Sequence, residues 1–88
     1  MAIGLEQNTI QARVLNILET IAGTDHIRHD LDLELFEQHL LDSLGMVELI
    51  VALSEEFKLD IAPAEIEREQ WSNPRKIIAQ VSSRLGKV

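Results

Sequence analysis

Apolar residues recur at helical spacing along most of this chain, and nowhere do they alternate with period two long enough to make a strand. Ile10, Val14, Ile17, Leu18 and Ile21 fall at i, i+4, i+7, i+8 and i+11, one stripe of an amphipathic helix over 9–22. Asn8 or Thr9 can cap its start, and Gly23 suits the left-handed residue that ends it. A second helix is expected over 43–57. Pro63 opens a short one over 63–67, and Asn73-Pro74 sets a cap and a first-turn proline for a last helix over 74–85. Ile77, Ile78, Val81 and Leu85 form the inner face of that last helix. Between the first two helices runs a connection from Thr24 to Asp42 with no sustained period, pinned to a core by Leu31, Leu33, Phe36, Leu40 and Leu41. Connections of that length inside a compact domain are often functional.

The expected fold is therefore all-α: one domain over 1–88, three main helices plus a short third helix, and a long first loop. Eighty-eight residues bury only about 60 to 65 per cent of their unfolded surface, so the core is thin. With aromatics at 3%, Leu, Ile and Val must fill nearly all of it. The absence of cysteine removes disulfides and any cysteine nucleophile or metal site. The opening Met1-Ala2-Ile3-Gly4-Leu5-Glu6 has neither the basic flank nor the apolar run of a signal peptide, and a cytoplasmic, unexported protein is expected.

Charge is unevenly placed. Residues 25–69 hold 13 acids against Arg28, Lys58 and Arg68, a balance of −10, while the two ends together carry +3. Such a middle repels a phosphate backbone, which argues against nucleic acid and for a basic protein surface as partner.

The second helix carries two stripes. Met46, Leu49, Ile50, Leu53 and Phe57 cluster within roughly 60° of one direction, an ordinary core face. On the opposite side lie Leu44, Val47 and Val51, bracketed by Asp42, Glu48, Glu55 and Glu56. Scattered exposed aliphatics are common and need no explanation by themselves. These begin beside Asp42-Ser43-Leu44, where a hydroxyl stands at the mouth of a helix after a long loop. A phosphodiester there would meet unpaired backbone N–H groups and the positive end of the helix dipole. Gly45 leaves room for something to pass close to the backbone. The plainer reading of Ser43 is a helix cap.

Asp42-Ser43-Leu44, followed by Val47-Glu48-Leu49 and Ser54-Glu55-Glu56-Phe57, resembles the acyl carrier protein superfamily. That resemblance implies a four-helix carrier bundle, a 4′-phosphopantetheine arm on Ser43, and no catalysis by the chain itself. Within the superfamily, Leu35-Phe36-Glu37-Gln38-His39-Leu40-Leu41-Asp42-Ser43, Gly45 and Glu69-Gln70-Trp71-Ser72-Asn73-Pro74 look most like the D-alanyl carrier proteins of teichoic-acid D-alanylation. Leu44 stands where those proteins often have Phe, and His39 where they often have Gly. The resemblance implies a phosphopantetheinyl transferase, an ATP-dependent D-alanine ligase and a downstream acyltransferase, membrane-bound or not, as partners. A fatty-acid or polyketide carrier is the alternative cargo class, and an acidic helical adaptor that uses the Leu44, Val47 and Val51 stripe is the alternative function. Asp42, Leu44, Val47, Glu48, Val51 and Glu55 are the expected docking residues, with no dedicated surface for oligomers.

Other constellations point to less. His26 and His29 with Asp25 and Asp30 lack a zinc motif, and Asp30-Leu31-Asp32-Leu33-Glu34 lacks the glycine and distal glutamate of a calcium loop. No metal is expected. Pairing Ser43 with His39 or His29 as a hydrolase finds no Gly-x-Ser-x-Gly turn. Trp71 reads as a core anchor, and Arg75, Lys76, Arg84 and Lys87 as a solvated face.

Overall fold

The computed structural model describes residues 9–86, with Pro63 by its backbone alone. Asn8, the opening residues Met1 to Glu6 and Lys87 lie outside the described residues. Among the described residues four α-helices follow in order: α1 Ile10–Ala22, α2 His26–His29, α3 Ser43–Phe57 and α4 Pro74–Arg84. Two single 3-10 turns, Pro63–Glu65 and Arg68–Trp71, separate α3 from α4. No strand occurs among the described residues.

Local chemistry sets each boundary. Thr9 caps α1 by accepting from the Ala12 N–H at 3.1 Å, and Gly23 ends it at φ 76°. Asn73, itself buried, accepts from the Lys76 N–H at 2.8 Å, and Pro74 fills the first turn of α4, where its missing N–H costs no bond. Lys58 ends α3 in the left-handed region at φ 57°.

Val14, Leu15 and Leu18 of α1 close on Leu49, Leu53 and Phe57 of α3 and on Ile77 and Val81 of α4, so α1 packs against both of the other long helices. Trp71, 1% exposed, is the largest fully buried side chain. Its burial makes it a core anchor and removes it from any docking surface.

Two expectations need correction here. The segment 63–67 is no α-helix: a 3-10 turn ends at Glu65, and a second one begins at Arg68 and buries Trp71. Tighter 3-10 geometry eclipses residues three apart and seldom runs longer than a turn. The first loop is also less irregular than its sequence pattern suggests, since it contains the single turn α2, whose Ile27 is fully buried.

That loop is fastened to the far end of the chain. The Leu35 N–H donates to the Ser72 carbonyl at 2.9 Å, and the Arg75 N–H donates to the Leu31 carbonyl at 2.9 Å. The second bond satisfies an N–H that the first turn of α4 would otherwise leave orphaned. Arg75 also donates to both carboxylate oxygens of Asp32, at 2.8 and 3.3 Å. The basic face of α4 is thus engaged with its own chain: Lys76 donates to the Glu69 carbonyl at 3.1 Å, and Arg84 approaches Glu65 at 3.5 Å.

Candidate attachment site

The geometry around Ser43 begins with its neighbour. Asp42 has extended backbone, and its Oδ1 accepts from the Gly45 N–H at 2.7 Å, so Asp42 and not Ser43 caps α3. A cap of this kind contributes about 1 kcal/mol. Ser43 becomes the first helical residue, exposed, and its hydroxyl makes no hydrogen bond among the described residues. The plainer reading of Ser43 as a helix cap is thereby excluded. Among the described residues neither His39 nor His29 is hydrogen-bonded to Ser43.

Gly45 has a different purpose from the one its sequence context suggests. It is buried, and a Cβ placed on it would stand 3.2 Å from the Asp42 Oδ1 and 3.2 Å from the Leu41 Cδ1. The space a side chain would need there is taken by the capping carboxylate and a core leucine. Glycine is what lets Asp42 fold back over the first turn.

His39 sits at φ 59°, in the left-handed region. Glycine takes that conformation without strain, which gives a physical reason for the glycine that the resembling carriers often have there.

Both faces of α3 fall where the period places them. Met46, Leu49, Ile50, Leu53 and Phe57 are buried. Leu44, Val47 and Val51 are 68%, 48% and 51% exposed. Asp42, Glu48 and Glu55 are exposed around them. Glu56 leaves this group: Arg13 of α1 donates to its carboxylate at 2.6 Å and to its carbonyl at 3.0 Å, and the same guanidinium stands 4.7 Å from the Phe57 ring centre. Glu56 ties α3 to α1 and is not free for a partner.

Beside Ser43 runs an open groove of about 230 Å³. Phe36, Met46, Val47, Ile50 and Ile66 give it apolar walls, and Arg68 lies across the Phe36 ring with its guanidinium 4.2 Å from the ring centre. Arg68 is the site residue that pattern reasoning missed, since a lone arginine after a short turn carries no periodic signal. Its one mark in the sequence is that it is a rare base in an acidic stretch. Among the described residues no three His, Asp or Glu side chains group closely enough to hold a metal ion, and no helix is long and apolar enough to cross a membrane.

A small helical bundle that presents a free serine hydroxyl on the first turn of a helix, beside an exposed apolar stripe, has the layout of a carrier domain. Its hydroxyl is accessible, has no internal partner to displace, and borders the apolar groove.

The phosphopantetheine attachment site family model matches residues 12–81. The chain is 41% identical over 75 residues to the D-alanyl carrier protein of Lactococcus lactis subsp. cremoris, covering 85% of this chain and 95% of that one. It is 43% identical over 74 residues to the D-alanyl carrier protein of Enterococcus faecalis, covering 84% and 95%. With that of Lacticaseibacillus rhamnosus it shares 42% identity over 77 residues, covering 88% and 95%. The chain belongs to the phosphopantetheine attachment family and, within it, to the D-alanyl carrier proteins. Domains of this family take 4′-phosphopantetheine covalently and act as acyl carriers, without catalysis of their own.

Proposed function

We propose that Ser43 bears the 4′-phosphopantetheine arm and that the chain carries D-alanine on it as a thioester, for delivery to an acceptor of the cell envelope such as teichoic acid. The observation that carries this reading is the exposed, unpartnered Ser43 hydroxyl on the first turn of α3, in a chain that covers 95% of its D-alanyl carrier relatives. When bound, the arm supplies a thiol that holds an activated acyl group.

The residues of this chain do the rest. Asp42 fixes the first turn through the Gly45 N–H and so holds Ser43 in one place. A phosphopantetheinyl transferase brings coenzyme A to it. The Ser43 Oγ attacks the pantetheine phosphate, the P–O bond to the nucleotide portion breaks, and the serine proton passes to a base of the transferase. Leu44, Val47 and Val51 give each partner a modest apolar patch, and Asp42, Glu48 and Glu55 surround it with negative charge. That combination suits brief docking, because charge quickens encounter while the small patch keeps release fast. An ATP-dependent D-alanine ligase then loads the thiol, and a downstream acyltransferase unloads it. A flexible tether makes each transfer effectively intramolecular.

Intact-mass analysis with fragment mapping tests this directly. Incubation with coenzyme A and a transferase is expected to add one phosphopantetheine to Ser43, and ligase, ATP and D-alanine to add one alanyl group. An arm mapped to another residue would end the Ser43 reading. A holo protein that takes fatty acyl groups but not D-alanine would assign it to the other cargo class.

A further inference from the structure

The stretch 25–69 has only three basic residues, and the fold gives each a different setting. Arg28 is tied to the Glu19 carboxylate at 2.6 Å and to the Asn16 side chain at 2.8 Å. Lys58 closes the far end of α3, roughly 22 Å of helix rise from Ser43. Arg68 lines the groove that Ser43 also lines, and it has no ion pair among the described residues.

We infer that Arg68 receives the phosphodiester formed on Ser43 and thereby turns the arm into the groove walled by Phe36, Ile50 and Ile66. This rests on Ser43 as the attachment site. The two sides of α3 next to Ser43 differ in charge. On one side a depression is lined by His39, Leu44 and Gly45 with the carboxylates of Asp42 and Glu48. On the other lies the Arg68 groove, whose lining contains no carboxylate. A phosphodiester is an anion at neutral pH. Repulsion by Asp42 and Glu48 and attraction to Arg68 act in the same direction.

The form of the cation matters as much as its sign. The cation–π contact with Phe36, 4.2 Å from guanidinium carbon to ring centre, takes up none of the N–H donors of Arg68, which make no hydrogen bond or ion pair among the described residues. A planar fork of donors fits two phosphate oxygens at once, which a lysine does not match. Beyond the phosphate, the methyl-bearing part of pantetheine meets Val47, Ile50 and Ile66, the apolar walls of the groove. Arg68 is a positioning residue here: it touches neither thiol nor cargo, and it sets which side of α3 the arm leaves from.

Nuclear magnetic resonance of apo and holo protein tests the inference, using samples whose mass already shows the arm on Ser43, so that failure of attachment is seen separately and beforehand. Conversion to holo protein is expected to shift the Arg68 Nε–H resonance and to give Overhauser contacts from the pantetheine methyls to Phe36 and Ile66. In Arg68→Gln those contacts are lost while the thermal midpoint and far-ultraviolet spectrum stay unchanged. Arg68→Lys keeps part of them, and added salt weakens them in the native protein. An Arg68 Nε–H resonance identical in apo and holo protein would overturn the assignment. So would undiminished contacts in Arg68→Gln, or an arm lying against Leu44 and His39.

Discussion

The inner and outer faces of α3 are built from the same kinds of residue and do opposite things. Leu49 and Leu53 are fully buried in the core, whereas Leu44 and Val51 of the same helix are more than half exposed. Hydrophobicity alone does not separate the two groups; phase around the helix does. The outer stripe stands in a ring of Asp42, Glu48 and Glu55, and the inner one is buried. On the proposed reading both faces belong on one helix, because the element offered to partners is then also the element the core holds still.

Substitutions that exchange the two faces break this comparison most strongly. Leu53→Ala removes a fully buried side chain and is expected to cost about 2 to 5 kcal/mol, a large share of the roughly 5 to 13 kcal/mol available to a domain of this size. A urea midpoint reads it, and a loss below 1 kcal/mol would mean that the inner face is not the core. Next comes Asp42→Ala, which leaves the Gly45 N–H without its partner; about 1 kcal/mol should be lost, with amide exchange in the first turn of α3 quickened and the rest of the helix unaffected.

On the outer face the signs reverse. Val51→Asp and Glu48→Lys should leave stability within about 0.5 kcal/mol and yet slow arm transfer to Ser43 on the order of threefold to tenfold. Added salt slows the native protein but has little further effect on Glu48→Lys. Transfer kinetics equal to native in both variants would remove this stripe from the docking surface. The smallest effect belongs to an exposed ion pair away from α3. Hydrogen bonding to Arg75 holds the Asp32 carboxyl below its ordinary range. Its contribution is therefore complete above the unfolded carboxyl pKa and disappears as pH falls through the lowered folded value. Asp32→Asn should lower stability slightly at neutral pH and converge with the native protein at acid pH, flattening that limb of the stability profile.

Long periodic segments were readable from the sequence because many residues report one phase. The 43–57 helix ends where the pattern ends, and the last helix stops one residue short of Leu85, at Arg84. Features that depend on a single side chain were not readable. A four-residue turn such as α2 has no period to detect, with only Ile27 turned inward. The 3-10 turn that stops at Glu65 and the second one over Arg68–Trp71, which buries Trp71, are too short to leave a period in the sequence. Whether Ser43 or Asp42 caps the helix depended on which oxygen reaches the Gly45 N–H. Glu56 looked like one more acid of the rim until Arg13, 43 positions away, claimed it. Arg68 became visible only when the chain brought Phe36 beneath it.

The two backbone bonds from the first loop to Ser72 and Arg75 bear on timing. Leu31 and Leu35 precede the serine, yet their partners are made some forty residues later. A ribosome releasing this chain exposes Ser43 well before it delivers the residues that fasten the loop leading to it. Contacts between distant positions form late because the intervening chain must first be closed into a loop. A nascent chain truncated before residue 72 is therefore expected to be a poor transferase substrate, and competence should arrive with the last helix. On the proposed reading of Ser43, modification would then double as a check on completeness.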